Sequence, residues 1–172
     1  VDVKNVAIQA ILDCMPKQSI LLWFDATVLL LNLIRTDISS TMGSSQILFA
    51  REGQKSINIG VMLIRNVEAS KIFFKRVTKY IQQGYWDQGV ISCMLHMKTR
   101  HDCSRIRKFS KIRWSFLPTQ FAEIFRVRNS GTCPERRFFS LGAPSIIKLI
   151  GPDSSKRISC MKLVSESQDL QT

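Results

Sequence analysis

Residues 21 to 31 read LLWFDATVLLL, a single acid, Asp25, set in an apolar run behind a Trp-Phe pair. A carboxylate at the end of a buried strand either caps the next turn or faces a ligand, because ligands of open α/β sheets gather outside the carboxyl ends of the strands. Asp87, in WDQGVISCML at 86 to 95, stands where an N-cap would open a helix. Asn58 and Gly60 lie in INIGVMLIRN at 57 to 66, and a glycine inside an apolar strand marks a close backbone approach. Cys93, His96, His101 and Cys103 have the residue types of metal ligands. Their run mixes helix, loop and basic residues, and the chain has no CxxC pair, so a buried cysteine and two partly exposed histidines are the reading that the spacing favours.

The elements that must position these residues follow from periodicity. Val3, Val6, Ala7, Ala10, Ile11 and Met15 recur at helical spacing, which predicts an amphipathic helix over 3–15 ended by Pro16. Residues 19–24 are nearly all apolar, as in a strand buried on both faces. The stretch 35–45, RTDISSTMGSS, reads as a loop or a short capped helical turn, and 47–50 and 57–65 read as strands joined by a polar turn. Asn66 is placed as the N-cap of a helix over about 67–83, with Ile72, Phe73, Val77, Tyr80 and Ile81 inward and Lys71, Lys75 and Lys79 on a solvated face. After Gly84, a helix over 88–97 turns Val90, Ile91, Met94 and Leu95 inward, and Trp86 is assigned to the core. Residues 98–111 form a basic loop, and 112–117 and 121–127 are strands separated by Pro118. This order of elements belongs to a layered α/β fold.

With 172 residues and a mean hydropathy of +0.01, the chain has the length and apolar content of one domain with a real core. Its net charge of +12 favours an anionic partner. Residues 1–97 carry ten Lys and Arg against seven Asp and Glu, and 98–172 carry fifteen against six, so the excess belongs to the C-terminal part. A nucleic-acid surface across 98–113 would need rings to stack on bases, and that segment offers only Phe109 and Trp114 before or just beyond its end and no recognition motif. Nucleic acid is therefore the weaker reading. No uncharged apolar run approaches the roughly 18 residues of a membrane span, and 1–15 lacks the pattern of a signal peptide. Five widely spaced cysteines leave the redox compartment open.

Taken together, LLWFDATVLLL, INIGVMLIRN and WDQGVISCML resemble three segments of the GT-A type nucleotide-diphospho-sugar glycosyltransferases, in the order found in retaining members such as families 8 and 77. The resemblance covers about residues 3–97. It implies a partial GT-A (Rossmann-like) α/β fold, a mixed sheet flanked by helices, in a single domain over 1–172 of which 98–172 is a basic, poorly matched extension. It also implies transfer of a sugar from a nucleotide-sugar donor to a glycan or protein acceptor. Asp25 stands at the first acid of the family's DxD motif and Thr27 at the second, which implies a divalent cation, Mn or Mg, held at Asp25 and Thr27. The same resemblance sets Asn58 and Gly60 at the donor sugar and Asp87 and Gln88 at the catalytic centre, with Gln88 against the anomeric carbon. It sets Lys148, in FFSLGAPSIIKLIG at 138 to 151 with Gly142, at the donor phosphates.

Three departures from the pattern lower the expected activity. Thr27 is neutral where the family has an acid, so the site loses a negative charge and much metal affinity. The chain opens one helix before Asp25, whereas relatives build the nucleotide-binding half upstream, which predicts a fragment with impaired turnover. In eukaryotic relatives that upstream part often carries a Golgi anchor. Finally, 138–151 lacks the His of the family's His-x-x-Gly-x-x-Lys segment. A non-catalytic remnant that binds a glycan or a partner shares the same fold and stands as the alternative.

Overall fold

A computed structural model describes residues 3–26, 28–30, 37–52, 56–97, 99, 101–119, 121–126, 146–150, 155 and 157–162. Helix α1 (Val3–Cys14) leads into β1 (Ile20–Phe24) and β2 (Val28–Leu30), then α2 (Ile38–Met42), β3 (Ile47–Glu52) and β4 (Ser56–Arg65). Helices α3 (Glu68–Ile81) and α4 (Asp87–Met94) follow, and then β5 (Trp114–Phe116), β6 (Ala122–Arg126) and β7 (Ile146–Ile150). The main sheet has the order β1-β4-β3-β5, with β4 antiparallel to both neighbours and β5 parallel to β3. A second sheet, β2-β7-β6, is not visible in the periodicity. The mixed sheet flanked by helices is the α/β architecture expected from the sequence.

Strand β4 is buried from Ile57 to Ile64, and its two faces feed two cores. Met62 and Ile64 join Ile47, Phe49, Ile8, Leu12, Phe73, Phe74 and Val77 on the helix side. Val61 and Leu63 join Leu48, Ala50, Met42, Leu117 and Phe121 on the other. Before Gly60 the parity is reversed, because Ile57 and Ile59 belong to the helix-side core. A bulge explains the reversal: Phe49 pairs with Met62, yet the next residue, Ala50, pairs with Asn58, so Ile59, Gly60 and Val61 are extra residues on β4.

Several expectations are corrected. Strand β1 is half-buried rather than buried on both faces, because among the described strands it pairs only with β4. In α1 the inward face carries Asn5, Ile8 and Leu12, while Val3, Val6 and Ile11 are exposed. The i, i+4 stripe against α3 outweighs the larger count of small apolar residues on the other face. Asn66 is not an N-cap. Val67 holds that position without a side-chain bond, and the buried Asn66 amide donates to the Met15 and Pro16 carbonyls, tying the α1–β1 connection to the end of β4. In α3, Phe74 is buried and Ile72 is 39% exposed. Lys71 pairs with Asp13 at the surface, consistent with a solvated face.

The loop after α4 is closed by a disulfide between Cys93 and Cys103, which removes both thiols from any metal reading of that run. Met94 O accepts from the Phe109 N–H, and the Phe109 ring packs edge-on against Phe73, so the loop returns into the core. Cys14 is free and exposed. Among the described residues no helix is long and apolar enough to cross a membrane.

Phe74→Ala is expected to cost about 3–5 kcal/mol in urea unfolding, whereas Ile72→Ala, two residues away, costs less than about 1 kcal/mol. Equal losses would contradict the assigned face of α3. Replacing Cys93 and Cys103 together by Ser is expected to lower stability by about 2–3 kcal/mol through the freed loop, read from the same unfolding curves.

Candidate active site

Four chain segments converge at the end of β1. The Asp25 backbone N–H donates to the Gly60 carbonyl at 2.8 Å, which hooks the strand end onto the bulge of β4. The Asp25 carbonyl accepts from the Val28 N–H at 3.1 Å, turning the chain into β2. On the helix side of the sheet, where Leu21 and Trp23 pack on the core, Asp25 Oδ1 accepts from the Trp23 indole at 3.3 Å.

The bulge is held from within. Asn58, 4% exposed, accepts the Gly60 N–H on its Oδ1 at 2.9 Å and donates its amide to Glu52 Oε2 at 2.9 Å. These bonds fix the backbone that presents the Gly60 carbonyl to Asp25.

Asp87 comes from the start of α4. It is the first helical residue rather than the cap, which is Trp86. Its Oδ1 accepts the Gln88 N–H at 2.7 Å, and a carboxylate here is favoured by the positive end of the helix dipole. The half-buried Gln88 side-chain amide forms no hydrogen bond to a described residue, while the Gln88 carbonyl accepts from Ser92.

Lys4, in the first turn of α1, joins the two acids. Its Nζ lies 3.4 Å from Asp25 Oδ1 and 3.4 Å from Asp87 Oδ2, with 19% of the Lys4 side chain exposed against 28% and 15% for the acids. Those two oxygens are therefore no more than twice that distance apart. Each contact is worth roughly 5 kcal/mol of attraction at an effective dielectric of about 20, before desolvation and solvent screening reduce it. Lys4 was not singled out by the sequence. The signal was present, since Lys4, Ile8 and Leu12 form one i, i+4 stripe, and a lysine heading a buried stripe needs a partner for its charge.

The remaining sequence candidates divide. Thr27 and Gly142 lie outside the described residues. Lys148 stands in β7 in register with Val28 on one side and Ile124 on the other, and its side chain lies outside the described part. Arg65 donates to the Gly43 and Ser45 carbonyls, and Arg51 lies over the Phe116 ring at 4.0 Å, so both are engaged in the fold. Phe109 is buried and Trp114 packs between Phe49 and Phe116, so neither of these two rings stands free for base stacking. Trp86 is 57% exposed rather than in the core. A groove of about 330 Å³ between α1 and α3, lined by Gln9, Asp13, Glu68, Lys71, Ile72 and Lys75, contains none of the converging residues.

A divalent cation requires several oxygen donors. Among the described residues no group of three His, Cys, Asp or Glu side chains is arranged to hold one. Asp25 offers a hard carboxylate, but its Oδ1 faces the Lys4 ammonium and the Trp23 N–H. The described residues alone do not fit the metal.

Comparison with solved structures finds a crystal structure of the galactosyltransferase LgtC in complex with donor and acceptor sugar analogs. The TM-score is 0.50 at 14% identity, over 96% of this chain and 68% of that one, which is a likeness of fold. Comparison with curated proteins finds no match. A family model for nucleotide-diphospho-sugar transferases matches residues 21–143, a span that contains Asp25, the β4 bulge and the start of α4. By that match over most of its length, the chain belongs to the nucleotide-diphospho-sugar transferase family.

Proposed function

We propose that this chain transfers a sugar from a nucleotide-sugar donor to a hydroxyl of a glycan or protein acceptor. Glycosyl transfer is the family's general chemistry, and the observation that carries the assignment to this site is Lys4 Nζ at 3.4 Å from both Asp25 and Asp87. Two acids 62 residues apart in sequence, one at the end of β1 and one at the start of α4, share one ammonium beside a strand-end bulge. That grouping of charges suits a sugar diphosphate, whose departing phosphates need a cation and whose sugar needs a carboxylate.

In this reading the bond from the anomeric carbon to the diphosphate breaks, and the acceptor oxygen bonds to the same carbon while its proton leaves with a phosphate oxygen. Positive charge grows on the sugar ring as the leaving group departs. The Asp87 carboxylate and the Gln88 amide dipole stabilise that charge, in keeping with a retaining course. The Lys4 ammonium meets the negative charge that grows on the phosphates, and it holds Asp25 and Asp87 in position before the donor arrives. Asn58 and Gly60 form the backbone wall against which the sugar lies, Asn58 by fixing the bulge and Gly60 by letting the sugar approach. Lys148 adds positive charge at the phosphate end.

The family commonly employs a divalent cation, and Asp25 with Thr27 would be its protein ligands here. The roles of Lys4, Asp87 and Gln88 do not depend on it.

The test is turnover of UDP- and GDP-sugars by the full chain, followed as release of UDP or GDP with and without Mn²⁺. Asp87→Asn and Lys4→Met are each expected to lower kcat by about 10²–10³-fold, the usual loss on removing one preorganised charge from such a site, without loss of fold by circular dichroism. Lys79→Met, on the exposed face of α3 and away from the four converging segments, is expected to leave kcat within about threefold. A chain that binds UDP or GDP but releases nothing from any donor would be a binding remnant and would defeat the transfer reading. Turnover indifferent to Asp87→Asn would defeat the assignment of the site.

A further inference from the structure

We infer that Trp86 is a stacking platform for a sugar ring of the acceptor, seated by His101 and held in place through the Cys93–Cys103 disulfide; this rests on the transfer reading above. Two aromatic side chains among the described residues are strongly exposed, Phe24 and Trp86. Phe24 follows Ile20 and Leu22 onto the sheet face opposite α1. Trp86 belongs to the start of α4, directly before Asp87, whose Oδ2 meets the Lys4 ammonium.

The indole is exposed, yet it is positioned. The Trp86 carbonyl accepts the Val90 N–H at 2.9 Å, which fixes the backbone as the cap of α4. The His101 ring stands edge-on to the indole, with centroids 5.0 Å apart and planes at 61°. His101 is in turn pressed onto the first turn of α4. A Cβ at Gly89 would come within 2.9 Å of the His101 ring, so the residue at 89 must be glycine for the histidine to sit there. Two residues on, Cys103 is bonded to Cys93 on the same helix. The Ser104 N–H donates to Asp102 Oδ1 and the Ile106 N–H to the Cys103 carbonyl, which folds the loop tightly around the bridge.

The indole is 57% exposed, belongs to neither core cluster and is nonetheless braced by a second ring, so its open face is held in a defined position. The C–H face of a pyranose ring suits such a surface, because it presents apolar area and leaves its hydroxyls at the rim for water or neighbouring polar groups. A ring stacked on Trp86 would be held at the start of α4, the end of the helix that also carries Asp87. The donor side of the site, with Asp25 and the β4 bulge, lies across Lys4 from this position.

The experiment is saturation-transfer NMR on the full chain with methyl β-glycosides of glucose, galactose and xylose, and with UDP and GDP as donor-side probes. The unsubstituted chain should transfer saturation to the ring protons of at least one glycoside. Trp86→Ala should weaken that binding by about tenfold or more, the usual effect of removing an aromatic anchor, and Trp86→Phe should restore part of it. Gly89→Ala and the Cys93→Ser/Cys103→Ser double variant should weaken it as well, since both unseat His101. UDP or GDP binding should be equal in all five chains. Glycoside binding unchanged by Trp86→Ala overturns the platform, as does UDP or GDP binding with no glycoside bound. Silence from every probe overturns the transfer reading and the platform together.

Discussion

One ammonium group sets the geometry of the site. Lys4 Nζ stands 3.4 Å from carboxylates that belong to β1's end and to the start of α4, so a strand and two helices meet through three side chains. Without that charge the two acids would confront one another in a partly buried place, and like charges at such range repel. With it, the trio keeps a single net negative charge and a fixed shape. The energy involved is modest after solvent is counted, yet the constraint is strict, because three elements must pack correctly before the contact exists.

The packing that delivers this contact runs through β4. Its bulge switches the inward face from Ile57 and Ile59 to Met62 and Ile64, so one strand serves the helix-side core in both halves. On its other edge β4 keeps a regular register with β1, and the bond from the Asp25 N–H to the Gly60 carbonyl continues that ladder one residue past the Phe24–Val61 pair. Core continuity and site geometry therefore meet at the same stretch of β4, held by the two bonds of the Asn58 amide.

Much of this was legible in the chain. The α/β order, the position of Asp25 at a strand end and the inward face of α4 follow from periodicity and from single residues with clear preferences. Errors arose where tertiary contacts outweighed local pattern. In α1 more apolar residues lie on the exposed face than on the buried one, and only contact with α3 selects Ile8 and Leu12. Asn66 looks like a cap because its type and place allow it, but its amide serves carbonyls 50 and 51 residues away. The bulge was hidden because the alternation of Ile57 to Gly60 runs into Val61 to Ile64, which is apolar at both parities and so does not show the change of phase. The disulfide could not be read because a pairing of cysteines is a fact of three-dimensional proximity, and the spacing of Cys93 and Cys103 suits several outcomes.

The placement of Lys4 near one end of α1 has a mechanical side. The helix is anchored by Ile8 and Leu12, both fully buried, and Lys4 stands about 12 Å ahead of Leu12 along the axis at 1.5 Å per residue. The helix is thus a lever with its pivot in the core and its charge at the tip. A tilt of about 10° about Leu12 would carry the backbone of Lys4 by roughly 2 Å, a shift that its flexible stem would have to absorb to keep both contacts. Side-chain volume at Leu12 or at its contacts on α3 therefore acts as a remote adjustment of the charge at the site.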